Sequence, residues 1–326
     1  MIAAIGVIGW VAFGVQGKTS ASKVTPDHRD IVLTYRARLP QLPPDSADVQ
    51  LWIPLATTRA NQQIVARHVQ ALMPYSIGAD PEYGNEMVHV RLTPPIAQPV
   101  EVAIEYHMRL VSGDVAGADQ PPTSHELQRD LQPSGLVIID DEVRARATRA
   151  TEGRTTLKDR ARGIYDDVIQ HMTYDKHVPG WGRGDTRRAC LLGKGNCTDF
   201  HSLLISMARA EHIPARFKIG TLIPSGVSGT IPGYHCWAEL YVEGEGWVPV
   251  DASEAWKHPE LAEHYFGARD ADRWLLSVGR DIQLVPRQQG APLNIFFYPY
   301  VEVNGQPFAN METEIRFQDL NAKGAT

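Results

Sequence analysis

The chain has 326 residues, of which 43% are hydrophobic and 21% are charged, so the chain as a whole is not disordered, collagen-like or a coiled coil. Lys and Arg number 32 against 38 Asp and Glu, and the formal net charge of -6 gives no basic field that would hold nucleic acid. Three cysteines are too few for the disulfide framework of a small secreted domain.

The amino-terminal segment differs from the rest of the chain. Residues 1–17 carry no charged side chain and are mostly Ile, Val, Ala and Gly, which is typical of a signal-peptide core or a short membrane anchor. Lys18 and Lys23 follow this run instead of preceding it, so a buried first element of the fold stays open as the alternative. We predict that residues 1–22 are a signal peptide or a membrane anchor and that the protein is exported.

The next part of the chain has the pattern of a β domain. Hydrophobic and polar residues alternate in four segments, which are 31–37, 48–54, 87–92 and 100–107. This alternation predicts a small antiparallel β-sandwich over residues 27–112. Gly and Pro are frequent in residues 113–134, which are predicted to be a linker.

Residues 135–310 are predicted to form a second domain of the α+β class, followed by a C-terminal tail over 311–326. Apolar residues recur at spacings of three and four from Leu157 to Met172, which predicts a helix over 155–172. A second helix should begin near Asn196, whose side chain can cap it, with Asp199 as the acid of a capping box. Strands are predicted at 215–223, 235–242 and 247–250, and two more between 281 and 303.

Three residues in this second domain have the chemistry of a cysteine nucleophile and its partners. Cys197 would lie in the first turn of the second helix, where the positive end of the helix dipole favours a thiolate. Such a nucleophile needs a base and an acceptor that fixes the tautomer of the base. His235 and Asp251 supply these types on consecutive predicted strands, and a hairpin would bring them together. Cys236 should point to the opposite, apolar face of its strand.

At these positions the sequence contains three motifs in order. They are Gly-Asn-Cys at 195–197, Tyr-His-Cys-Trp-Ala-Glu at 234–239 and Gly-Trp-Val-Pro-Val-Asp-Ala-Ser at 246–253. The motifs and their spacing resemble the transglutaminase-like superfamily, in particular its bacterial members, over about residues 155–256. The resemblance implies a papain-like core, with helices packed on an antiparallel sheet. It also implies Cys197 as nucleophile, His235 as base and Asp251 as the residue that orients the base.

The resemblance implies acyl transfer but does not select the reaction, because the family includes peptidases, amide hydrolases and cross-linking enzymes. We predict a bacterial thiol enzyme, periplasmic or membrane-anchored, that hydrolyses a peptide or amide bond through an acyl-enzyme on Cys197. Its substrate would be a peptide or protein, and no metal or organic cofactor is expected. Two alternatives stay open, a protein cross-linking transglutaminase and a binding module on the same core without turnover.

Further residues are candidates for the oxyanion site and the cleft. The backbone N–H of Cys197 lies at the predicted helix start and is the first candidate for an oxyanion donor. Trp181, in a Gly-rich loop, and Trp237 are candidates for the cleft, with loop anchoring and core packing as alternatives.

A zinc site is the alternative interpretation of the same cysteines and histidines. It would use side chains among Cys190, His201, His235 and Cys236. Their spacing resembles none of the paired short motifs that are typical of zinc sites, so zinc is not our prediction.

Overall fold

The structure, a computed structural model, describes residues 26–93, 99–113 and 121–322. The predicted signal or anchor segment, residues 1–22, lies outside this part. The strands are β1 His28–Leu39, β2 Val49–Leu55, β3 Gln62–Ala71, β4 Tyr75–Ala79, β5 Glu86–Leu92, β6 Val100–Val111, β7 Thr173–Tyr174, β8 Lys194–Gly195, β9 Ala215–Leu222, β10 Ser228–Thr230, β11 His235–Val242, β12 Gly246–Val250, β13 Arg273–Val278, β14 Tyr300–Val303, β15 Gln306–Pro307 and β16 Glu312–Asp319. The helices are α1 Ser124–Arg129, α2 Asp141–Ala150, α3 Leu157–His171, α4 Thr186–Leu192, α5 Cys197–Ala210 and α6 Ala252–Lys257, with a 3-10 turn at Pro259–Leu261.

Two antiparallel sheets build the β domain. One has the strand order β10-β16-β1-β6-β3 and the other β15-β14-β2-β5-β4. Along β1, buried residues alternate with partly exposed ones, as its sequence pattern predicts. Side chains from both sheets contribute to one hydrophobic core. The predicted β-sandwich is therefore confirmed, with its four predicted segments in β1, β2, β5 and β6.

The C-terminal residues differ from the prediction of a tail over 311–326. Strand β16 pairs with β1 from Ile31 opposite Asp319 to Arg38 opposite Glu312, and β14 pairs with β2. The chain therefore returns to complete both sheets of the β domain. In β16 only Ile315 and Phe317 are apolar. Two alternating apolar residues are too few to predict a strand from the sequence.

The predicted linker, residues 113–134, also contains regular structure. Helix α1 lies within it, and Thr123 and Glu126 form a capping box at its start. Because the helix has no buried residue, its sequence shows no apolar stripe that would have predicted it.

A third sheet carries the second domain. Its strands are antiparallel in the order β12-β11-β9-β13, and α5 packs against β11 and β9. Helix α5 is the central helix, because every residue from Cys197 to Arg209 is buried. The helices predicted over 155–172 and from Asn196 are confirmed as α3 and α5, and the strands predicted at 215–223, 235–242 and 247–250 as β9, β11 and β12. The structure thus has the predicted α+β class, with helices packed on an antiparallel sheet.

Two features of this sheet region depart from the prediction. Strand β13 was not predicted, because all of its residues are buried and it shows no alternation. Of the two strands predicted between 281 and 303, only β14 is regular.

In the part of the chain that the structure describes, no helix has the length and apolar character needed to cross a membrane.

Candidate active site

Helix α5 begins at Cys197 because a complete capping box precedes it. The Asn196 side chain accepts a hydrogen bond from the backbone N–H of Thr198 at 2.9 Å, and the Asp199 carboxylate accepts one from the N–H of Asn196, also at 2.9 Å. Cys197 is the first helical residue, so its own N–H has no acceptor within the helix. The predicted cap is therefore confirmed, and the thiol lies at the positive end of the helix dipole.

Asp199 also anchors the loop that precedes the helix. Its carboxylate accepts hydrogen bonds from the backbone N–H groups of Gly182 at 2.7 Å and Gly184 at 3.1 Å. A Cβ at Gly195 would clash with the same carboxylate, which is why the motif has glycine before Asn196. The Gly-rich loop is thus held against the first turn of α5.

The hairpin of β11 and β12 brings His235 and Asp251 together. His235 is the first residue of β11, and Asp251 directly follows β12. The Nε2 of His235 lies 2.6 Å from the Oδ2 of Asp251. His235 is also close enough to the Cys197 thiol for the two groups to shift each other's pKa. With Nε2 engaged by Asp251, Nδ1 is the ring nitrogen left for the thiol. The three residues that the sequence singled out are therefore adjacent, and all three are buried.

Asp251 is held from several sides. Arg273 Nη1 donates to its Oδ2 at 2.8 Å. The other oxygen, Oδ1, accepts from the Ser253 hydroxyl and from the backbone N–H of Glu254, both at 3.0 Å, so that Asp251 is also the N-cap of α6. Sequence reasoning missed Arg273. A single charged residue at the start of a hydrophobic run was the only local signal for it.

The buried charges of the site shift each other's pKa values. Burial favours the neutral thiol of Cys197, but the neighbouring Cys236 and His235 side chains and the charge of His235 lower its pKa well below the usual value. Burial favours a neutral His235, yet Asp251 and Cys197 raise its pKa to about 9. Burial opposes ionisation of Asp251, but His235 and Arg273 hold its pKa well below the usual value. The arrangement therefore favours a thiolate beside an imidazolium near neutral pH.

Trp237 covers this group of charges. Its ring stacks on His235 with centroids 6.3 Å apart, and the Arg273 guanidinium lies over it at 5.3 Å. Only 5% of the residue is exposed. Trp237 therefore shields the pairs that Asp251 forms with His235 and Arg273, and does not line an open groove as one of the sequence interpretations proposed.

Trp181 lies on the anchored Gly-rich loop and is 40% exposed. The Nζ of Lys176 lies 5.7 Å from its ring centroid. Its neighbour Gly182 donates to Asp199, so the backbone at Trp181 is near the start of α5. This position is consistent with a residue of the cleft, and the role of Trp181 stays a prediction.

The residues of the zinc alternative have other partners. Both ring nitrogens of His201 are engaged, because Nδ1 lies 2.7 Å from the carbonyl oxygen of Cys197 and Nε2 accepts from the N–H of Ala252 at 3.2 Å. Cys236 Sγ donates to the hydroxyl of Thr198 at 3.7 Å. Among the residues described, no three His, Cys, Asp or Glu side chains are grouped so that they could hold a metal ion. The geometry therefore gives the zinc interpretation no support.

Comparisons with known proteins agree with the resemblance that the motifs indicate. Residues 144–252 match the model of the transglutaminase-like superfamily. A Haemophilus influenzae protein, which bears the name "Uncharacterized protein", is 27% identical, with 84% of this chain and 86% of that protein covered.

Two solved structures are also similar. A candidate cysteine protease from Cytophaga hutchinsonii has a TM-score of 0.58 at 14% identity and covers 93% of this chain and 94% of its own, which shows a shared fold. The periplasmic domain of TgpA from Pseudomonas aeruginosa has a TM-score of 0.35 at 17% identity, covering 71% of this chain and 92% of its own. Together with the motifs, the family match shows that residues 144–252 are a transglutaminase-like domain.

Proposed function

We propose that the protein is a thiol-dependent enzyme that hydrolyses a peptide or amide bond through an acyl-enzyme on Cys197. The observation that carries this proposal is the buried group of Cys197, His235 and Asp251 at the start of α5, in which His235 is hydrogen-bonded to Asp251 and lowers the pKa of Cys197. A nucleophile, a base in contact with it and a carboxylate that orients the base are the three parts that such catalysis needs.

In the first half-reaction the Cys197 thiolate attacks the carbonyl carbon of the substrate, and the electron pair of the C=O bond moves to the oxygen. The N–H of Cys197, which has no helical acceptor, can donate to this oxyanion. The imidazolium of His235 then protonates the leaving nitrogen, the C–N bond breaks, and an amine leaves. A thioester on Cys197 and a neutral His235 remain.

In the second half-reaction neutral His235 takes a proton from water as the water oxygen attacks the thioester carbonyl. The C–S bond breaks, the acid is released, and the thiolate and imidazolium are restored. Asp251 accepts a hydrogen bond from His235 throughout and stabilises its charged form. Arg273 holds Asp251 ionised and in place, because its guanidinium donates to the same carboxylate oxygen.

Hydrolysis and cross-linking share the thioester and differ in what attacks it. Hydrolysis needs only water and the groups described above. Cross-linking needs in addition a place that binds an amine and excludes water. The site residues account for hydrolysis without such a place, so we propose hydrolysis as the main reaction.

The experiment offers both acceptors to the same acyl-enzyme. Short peptides, including glutamine-containing ones, are incubated in H2-18O with a labelled primary amine at millimolar concentration, and Cys197→Ala is the blank. We expect 18O in the carboxyl group of the product by mass spectrometry and amine only as a minor adduct. Efficient amine incorporation that depends on Cys197 would contradict the proposal and favour cross-linking. No product with either acceptor would favour the binding module.

We also propose that the enzyme acts on peptide or protein substrates outside the cytoplasm. The uncharged apolar run of residues 1–17 supports export. N-terminal sequencing of the protein purified from its own cells should find a cleaved start or a membrane-bound form. An intact, freely soluble cytoplasmic form would contradict export.

A further inference from the structure

His201 is a buried histidine that the proposed reaction does not use. It lies one helical turn after Cys197 in α5 and is fully buried. Its imidazole reaches from the first residue of α5 to the first residue of α6, since its Nδ1 is 2.7 Å from the carbonyl oxygen of Cys197 and its Nε2 is 3.2 Å from the backbone nitrogen of Ala252. Ala252 directly follows Asp251, so the ring connects the backbones of two proposed catalytic positions.

The partners of the ring determine its protonation. A backbone N–H can only donate, so the Nε2 that faces Ala252 must accept and carries no proton. The remaining ring proton is then on Nδ1, which donates to the carbonyl of Cys197. The N–H of Ala252 is at the first position of α6 and has no acceptor within that helix. The neutral ring of His201 thus satisfies a buried donor that nothing else in α6 can satisfy.

The charged groups around the ring are those of the site itself. The Nε2 of His201 lies 3.6 Å from the Oδ1 of Asp251, and Cys197 and His235 are its other titratable neighbours. Burial, opposed by the charges of Asp251 and Cys197, lowers the pKa of His201. When the His201 ring is neutral, the Asp251 carboxylate forms its ion pairs with His235 and Arg273 only. A protonated ring would compete for the carboxylate.

We propose that neutral His201 is a positioning residue that fixes the distance between Cys197 and Asp251, and so aligns His235 between them. This inference rests on the proposed function, because it assigns His201 an effect on that same triad. It explains why a histidine occupies a fully buried helix position where an apolar residue would pack at a smaller desolvation cost. A shift of about 1 Å in a catalytic group can cost on the order of 100-fold in rate. Loss of this constraint should therefore lower the catalytic rate measurably.

Two substitutions separate the two bonds of the ring. In His201→Asn the side-chain amide can replace Nδ1 toward the Cys197 carbonyl but is too short for Ala252. In His201→Gln the amide lies near the position of Nε2 and can accept from Ala252 while it loses the bond to Cys197. If both bonds are needed, each variant should fold and lose about 10-fold in kcat, with KM nearly unchanged.

The decisive readout is the pH dependence of Cys197 alkylation by iodoacetamide, which needs no substrate. A misplaced Asp251 stabilises the His235 imidazolium less, so the alkylation profile of both variants should move to higher pH than that of the wild type. In an Asp251→Asn background the same His201 substitutions should add little further shift, because the two residues act through one interaction.

His171→Gln is the matched control. His171 is a half-buried histidine at the end of α3, and its Nε2 lies 2.8 Å from the carbonyl oxygen of Cys190. Its substitution should lower the melting temperature without moving the alkylation profile. If the His201 variants lower only the melting temperature, or if their shift is fully additive with Asp251→Asn, the positioning role is wrong. A shifted profile in a protein that hydrolyses no substrate would keep the positioning role and reject the proposed function.

Discussion

Replacement of Cys197 by alanine is expected to abolish turnover and rapid alkylation together. Loss of the nucleophile in a serine protease costs on the order of 10⁶-fold in kcat, and we expect a loss of that order here. The other two cysteines should not substitute in the alkylation assay, because burial raises the pKa of Cys190, and burial together with the neighbouring Cys197 raises the pKa of Cys236 well above its usual value. Competitive labelling with iodoacetamide near neutral pH, read by mass spectrometry, should therefore find Cys197 modified first in the wild type.

Cys190→Ala is the control for this substitution. It also removes a buried thiol, but one that lies in α4 and is not a partner of His235. Its turnover and labelling pattern should match the wild type. Turnover that survives Cys197→Ala, or faster labelling of Cys190 or Cys236 in the folded protein, would remove Cys197 from the mechanism.

Asp251→Asn is expected to give the second largest loss of kcat. In a serine protease the equivalent change costs about 10⁴-fold, because an amide can select the wrong tautomer of the histidine and stabilises its cation poorly. Here one carboxylate oxygen accepts from both His235 and Arg273, and an amide that presents its NH2 group to either one would oppose donor to donor. The preformed thiolate makes the loss smaller, so we expect about 10³-fold in kcat, measured with the same peptide substrates.

Asp130→Asn is the control that separates an effect of Asp251→Asn on catalysis from its effect on stability. Asp130 is another fully buried carboxylate with an arginine partner, since Arg129 Nη2 lies 2.8 Å from its Oδ2. Both substitutions remove the ionised partner nearest to a buried arginine and should lower the melting temperature. Only Asp251→Asn should lower the turnover of the folded enzyme. If turnover and melting temperature both remain unchanged in Asp251→Asn, Asp251 has no part in the mechanism.

The sequence predicted that Cys197, His235 and Asp251 lie together, because each of them has a local signal. The Asn196 cap places Cys197 at a helix start, and the short hairpin of β11 and β12 brings the start of β11, His235, near the residue after β12, Asp251. Such signals need only a few adjacent residues. The fold of the second domain could be predicted for the same reason, from the apolar stripe of α3 and the runs of β9, β11 and β12.

The residues that surround the triad could not be predicted in this way. Arg273 reaches Asp251 from β13, whose place beside β9 is a tertiary contact. The role of His201 depends on where α6 begins, which is 51 positions further along the chain. For Trp237 the sequence left both the cleft and core packing open, because alternation gives the face of a strand and cannot show what covers that face. A single sequence carries no signal for such long-range partners.

The place of β16 between β10 and β1 has a consequence for how the chain acquires its structure. Arg29 in the first strand forms a buried ion pair with Asp319, 290 positions later, so the transglutaminase-like core is in effect an insertion between strands of one sheet. Until β16 emerges from the ribosome, β1 has an unpaired edge that can associate with other chains. Contacts of such large sequence separation slow folding, because a long loop must close before they form. We therefore expect the β domain to be completed last, although its first strands are synthesised first.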